Sequence, residues 1–249
     1  MADYSFKEES IKMLKLIRYI GQWKQNLVAV VFFYLAGIIF VITGGFSITI
    51  GALYMMIAGS IQIQGYEQIF FTSYMNTSAR HRYYSVDLYS LFMAVSFTIG
   101  YVLAIICLAV KDKLINMEWN GRIQESISEW DTGINSGAVL VFAGIMGMIM
   151  IIYYSVASKA YISTTIIFFV TFFPIFMIML NVTSEDDFND TPMALGIIWK
   201  KLDVSFGKGA VIGFLLILLG VAIVWLLRRV TYNKQYSPLY KKALLRFSK

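Results

Sequence analysis

A chain of 249 residues with one histidine and one cysteine has few ways to do covalent or metal chemistry. The histidine, His81, stands in the run Asn76-Thr77-Ser78-Ala79-Arg80-His81-Arg82-Tyr83-Tyr84-Ser85. No Cys or Glu cluster surrounds it, so neither a metal site nor a histidine-activated nucleophile is expected there. Cys107 lies inside an apolar run, where a free thiol is ordinarily a packed side chain. A lone cysteine forms no intrachain disulfide and says little about redox compartment. No G-x-x-x-x-G-K-[ST] phosphate loop occurs, so the chain does not bind ATP by that route. Any uphill work must draw its energy from a separate subunit. Direct chemistry on a substrate is not expected.

The elements that would hold these residues are membrane spans. The composition is 58% hydrophobic and 14% charged, with a mean hydropathy of +0.67. Soluble domains carry about 25% charged residues, and so little charge cannot cover a water-facing surface. The apolar residues also cluster into long runs, and a span needs about 20 of them. The pattern predicts an all-α integral membrane domain with six spans. They cover Leu27–Thr43, Phe46–Gln64, Leu88–Val110, Asn135–Val156, Tyr161–Leu180 and Gly209–Leu227. Gly44 and Gly45 leave room only for a tight turn, so the first two spans form an antiparallel hairpin. Boundaries at this level carry an error of a few residues.

Ahead of the spans, residues 1–26 read as an interfacial helix. Met13, Ile17 and Ile20 form an apolar stripe, with Lys12, Lys15 and Arg18 on the polar face. An amphipathic helix with a basic face lies in the headgroup plane. The start of the chain is polar and acidic, unlike a cleavable signal peptide. Residues 228–249 form a basic tail with seven Lys and Arg and no acids, suited to anionic membrane lipid or an acidic partner surface. The whole chain is expected to be one transmembrane domain, with 27–227 as the six-span bundle.

Charge predicts the orientation. With the N-terminus in the cytoplasm, 15 of the 21 Lys and Arg fall inside, while ten of the 15 acids fall outside. The basic count follows the positive-inside rule, and six spans then return the C-terminus to the cytoplasm.

The six spans as drawn hold no Asp, Glu, Lys, Arg or His in their interiors. Ion-coupled transporters need such groups at membrane depth, so this reading disfavours them. The spans hold thioethers and aromatics instead. Met55, Met146, Phe172 and Phe176 are candidates for the lining of a cavity that accepts a varied amphipathic cargo, because thioethers adapt to irregular apolar partners. Pro174 removes a helical hydrogen bond and is a candidate hinge. Gly137, Gly144 and Gly147 recur in the fourth span, where small residues permit close helix packing.

The order of parts resembles the permease subunits of type-2 ABC exporters. Within these it is similar to the small half-transporter permeases of Gram-positive bacteria that export amphipathic peptides, such as the phenol-soluble-modulin exporters. The resemblance covers essentially the whole chain. In such permeases the loop between the second and third spans carries a small hydroxyl residue, a basic residue and an aromatic or aliphatic pair. Thr77, Ser78, Arg80, Arg82 and Tyr83 match that order, with His81 between the arginines. A proline common ahead of the hydroxyl residue is missing, with Met75 or Asn76 near its place.

The resemblance implies that this loop is a coupling helix inserted into an ABC ATPase subunit. It implies that residues 1–26, with Lys12, Lys15 and Arg18, form the family's connecting helix. Two permeases, identical or paralogous, would join two ATPases, which bind ATP and Mg, in a bacterial cytoplasmic membrane. The cargo would be an amphipathic peptide, a toxin or an antimicrobial peptide. This chain would need no cofactor or metal of its own, would not be an enzyme, and would bind no nucleic acid. A non-transporting scaffold and a permease for lipids or drug-like substrates are the alternatives.

Overall fold

A computed structural model describes residues 11, 15, 23–43, 47–69, 82–115, 135–183, 204–231 and 237–239. Among the described residues there is no strand, and the architecture is a bundle of long helices. They are α1 (Trp23–Thr43), α2 (Ser47–Ile69), α3 (Tyr89–Ile115), α4 (Ser136–Ala157), α5 (Tyr161–Thr183) and α6 (Phe206–Thr231). A π-helical turn, Tyr83–Leu88, leads directly into α3. Five of the helices are long and apolar enough to cross a membrane, and α5 contributes a shorter apolar stretch, Tyr161–Phe176. Five to six helices can therefore span, and the chain is a multi-pass membrane protein.

The helices differ in how much of themselves they hide. In the most apolar 18-residue window of α2, 67% of the residues are buried, against 17% for α1 and 22% for α6. So α2 is the central helix, packed on α1, α3 and α4. Outer faces of α1, α3, α5 and α6 carry exposed Phe32, Ile106, Ile167 and Leu219. In water such faces would be a liability, but against hydrocarbon they are the ordinary surface of a spanning helix. Around α2 the core closes with Met55, Met56, Phe97, Tyr101, Phe142 and Met146.

Local chemistry sets several boundaries. Asn135 caps α4, its side chain accepting the Ala138 N–H at 3.0 Å, which satisfies one of the donors a helix start leaves open. A three-residue link then turns α4 antiparallel into α5, with the Ser158 hydroxyl donating to Ser155 O at 2.7 Å. Helix α5 runs on through Pro174 to Thr183.

Two of the helices, α4 and α6, run parallel and approach almost backbone to backbone. A Cβ on Gly144 would collide with the Gly213 backbone, and one on Gly209 with the Gly137 backbone. Hydrocarbon gives no hydrophobic drive for helices to associate, so close van der Waals contact between small residues must supply it. Gly137 and Gly144 were legible as a packing stripe; their partners Gly209 and Gly213 on α6 complete it. Tyr101 of α3 reaches the same notch, donating to Gly209 O at 3.2 Å and Ala210 O at 3.0 Å.

Several helices run past the expected spans. The second was expected to stop at Gln64, the third at Val110 and the sixth at Leu227, whereas α2 continues to Ile69, α3 to Ile115 and α6 to Thr231. The extra turns contain Glu67, Lys111 and Arg228, all buried, which an apolar-run criterion excludes. The statement that the spans hold no ionisable group is thereby corrected for the helices as they fold. Further, Arg228 belongs to α6 and not to a free basic tail.

The α4–α6 seam generates a test. Gly144→Leu should destabilise the purified protein by about 2 kcal/mol or more, because the neighbouring atoms are backbone and cannot rotate away. Gly207→Ala is the control, since nothing lies within 4 Å of its added Cβ. Denaturant unfolding in detergent micelles should resolve the first change and leave the second near wild type.

Candidate functional site

On α2, Ser60, Gln64 and Glu67 are spaced to share one face, as residues three and four apart do on a helix. The face is turned into the bundle. Gln64 donates to the Tyr154 hydroxyl of α4 at 2.9 Å. Glu67 is fully buried, with 0% of its surface exposed, and Arg228 of α6 shows 3%. Arg228 Nη2 donates to Glu67 Oε1 at 2.7 Å. The same oxygen accepts the Tyr89 hydroxyl of α3, also at 2.7 Å.

Each nitrogen of the guanidinium has a partner. Nε donates to the Ser155 hydroxyl of α4 at 3.4 Å, and Nη1 to Ser85 O in the π turn at 3.4 Å. The cation also lies over the Tyr89 ring, 3.3 Å from its centroid. Cation–π attraction of this kind strengthens when the pair is desolvated. Glu67, Tyr89, Ser155 and Arg228 thus join α2, α3, α4 and α6 at one end of the bundle. Arginine suits the position because its planar fork of donors can serve several acceptors at once.

A second contact lies beside the first. One turn before Arg228, Trp225 Nε1 donates to Asp87 Oδ1 at 2.8 Å. Arg229 sits over the Trp225 ring, 5.2 Å from its centroid. The last turns of α6 therefore hold the π turn twice, through Ser85 inside and Asp87 at the rim. The π turn in its turn has two serine hydroxyls on its carbonyls: Ser85 Oγ donates to Arg82 O, and Ser90 Oγ to Val86 O at 2.7 Å.

The residues expected from sequence are scattered relative to this cluster. Thr77, Ser78, Arg80 and His81 lie outside the described residues, as do Lys12 and Arg18. Lys15 is helical and exposed. Arg82 is exposed and directly precedes the π turn, and Tyr83 is its half-buried first residue. Met55 and Met146 are fully enclosed in the core of this one chain. Phe172 and Phe176 are half-buried on α5 and stack with their ring centroids 6.0 Å apart. The stack continues through Phe168 to Tyr153 of α4. Pro174 is exposed on α5. Among the described residues no group of three or more His, Cys, Asp and Glu could hold a metal ion, and Cys107 is buried.

Neither Glu67 nor Arg228 was a sequence candidate. The available signal was helical spacing: Gln64 and Glu67 continue the face of α2, and Val230 continues an apolar pattern beyond Arg228.

Removing one member of this pair should cost far more than removing both. Arg228→Met leaves the Glu67 carboxylate buried without its cation, a loss of about 3–5 kcal/mol. The double variant Glu67→Met with Arg228→Met should recover much of that, because no buried charge remains. Detergent unfolding of the two single variants and the double variant measures the coupling; additive losses would show that the two side chains act independently. No protein-family model, curated protein or solved structure matches this chain.

Proposed function

We propose that the chain is the membrane-spanning subunit of an ATP-driven exporter of amphipathic peptides, of the type-2 ABC class, working with separate ATPase subunits. One observation carries the reading beyond resemblance. The segment between α2 and the π turn, which holds Thr77, Ser78, Arg80 and His81, is fixed at both flanks to the same side chain. Glu67 before it and Ser85 after it both accept from Arg228. A displacement that reaches either flank of that segment would be passed to α6 through Arg228.

In this reading the Glu67–Arg228 end faces the cytoplasm, where the positive-inside count puts it. ATP, bound by the partner subunits, supplies the closing motion. Arg80 and Arg82 grip the ATPase surface, and the π turn passes the displacement to α3 and α6. The spans then act as a passive conduit between two permease copies. Their aromatic and thioether faces, Phe172 and Phe176 among them, suit a cargo that is apolar on one side. The membrane would be the cytoplasmic membrane of a bacterium.

The test is an Arg80→Glu, Arg82→Glu double variant, reconstituted with the ATPase that copurifies with the wild-type chain. Hydrolysis should persist while peptide export falls by about tenfold or more, the scale of ordinary coupling energies. Undiminished export would remove the loop from the mechanism. Recovery of the wild-type chain with no stoichiometric ATPase would favour a scaffold instead.

A further inference from the structure

The π turn Tyr83–Leu88 is the least ordinary piece of backbone among the described residues. π geometry closes hydrogen bonds over five residues in place of four, so it accommodates one residue more than an α-helix of the same length. Such turns make up well under 1% of residues in globular proteins. This one stands at the root of α3, beside the Glu67–Arg228 ion pair.

Its hydrogen bonding is that of a position held from outside. Ser85 O accepts from Arg228 Nη1. Val86 O accepts from the Ser90 hydroxyl and from the Tyr89 N–H three residues on. Arg82 O accepts from the Ser85 hydroxyl. Side-chain donors thus engage the carbonyls of Arg82, Ser85 and Val86, that of Ser85 from another helix. Arg228 also donates to Glu67 and to Ser155.

We propose that the π turn and Arg228 form a two-position switch. In the position seen here, Arg228 holds Ser85 O and Trp225 holds Asp87. In the other, the extra residue is passed out of the turn, the segment returns to α geometry, and the Ser85 carbonyl turns away from Arg228. Shifting the register by one residue turns the affected side chains by about 100°. Asp87 would then leave Trp225, and α6 would be freed from the π turn while remaining tied to α2. A serine hydroxyl can follow a carbonyl in either geometry, so Ser85 and Ser90 stay bonded in both positions, and the donors that Arg228 and Trp225 withdraw are the cost the motor must supply. The switch rests on the exporter reading, in which the loop ahead of Tyr83 is where force enters.

The experiment locks the position seen here. Asp87→Cys and Trp225→Cys are combined in the full chain, reconstituted in proteoliposomes with its ATPase, and bridged by a short reducible bis-thiol reagent. Export of a fluorescent amphipathic helical peptide is read before bridging, after bridging and after reduction. The switch predicts a loss of at least about tenfold on bridging and recovery on reduction. Export that continues through the bridge overturns it, and so does a pair that never bridges, because the two side chains must be adjacent.

A second readout needs no substitution. Amide exchange at 83–90 in the wild-type complex should change by about tenfold or more between the nucleotide-free and ATP-trapped states, while amides 95–108 stay constant. Unchanged exchange at 83–90 overturns the switch, whatever the cysteine variant does. If the wild-type chain shows no ATP-dependent export at all, the exporter reading fails and the switch with it. If the wild type exports and the bridge is harmless, the switch alone fails.

Discussion

A buried carboxylate and a buried guanidinium cannot part company cheaply in a low-dielectric interior, and the rest of this bundle is arranged around that fact. Glu67 and Arg228 lie 2.7 Å apart with almost no exposure. Their mutual attraction offsets desolvation only because each nitrogen of the guanidinium also has a hydrogen-bond partner. That requirement explains the neighbours. Tyr89 gives Glu67 a second donor and gives Arg228 an aromatic face. Ser155 and the Ser85 carbonyl occupy the remaining guanidinium nitrogens. Well-packed apolar residues could give equal stability, so the pair is better understood as a specifier of register. One rotation of α6 about its axis satisfies Arg228; any other leaves a charge unpaired.

The glycine seam fixes a second degree of freedom. Dispersion between smooth apolar helices is non-directional and allows sliding, whereas a glycine notch admits its partner backbone at one height only. Gly144 against Gly213, and Gly137 against Gly209, set the height of α6 on α4. Arg228 sets its rotation. Together they make α4 and α6 a parallel pair, although the expected α5 stands between them in the chain. With α5 attached to α4 through a three-residue link, the last three helices form a connected unit beside the α1–α2 hairpin and α3.

Sequence made the spans legible because apolar length is a strong and local signal. The starts of the fourth and fifth helices fell where expected, at a cap residue and after a short polar link. The ends of α2, α3 and α6 did not, for a physical reason. A hydropathy run stops at its first charge, whereas a helix stops where its backbone bonds lose partners. Glu67 and Arg228 neutralise each other across 161 residues of sequence, and no local rule can see that. Treated singly, each looked like solvated loop or tail. The same limit hid Gly209 and Gly213, since a small-residue stripe has meaning only against the stripe it meets. Arg82 and Tyr83 stand out in the sequence only through a short order of residue types, and the segment that carries the rest of that order lies outside the described residues.

Polar contacts sit at both ends of the interface between α3 and α6, with apolar surface between. At one end are Arg228 with Ser85 and Trp225 with Asp87; towards the other, Tyr101 holds the first turn of α6. The middle can shear by small amounts without breaking a hydrogen bond, because apolar contacts exchange partners gradually. The ends cannot, since a donor in this environment is either matched or stranded. The ends therefore fix the position of this helix pair, while its middle tolerates small shear. Among the described residues the buried ionisable groups, Glu67, Lys111 and Arg228, likewise sit near helix ends and not at mid-depth.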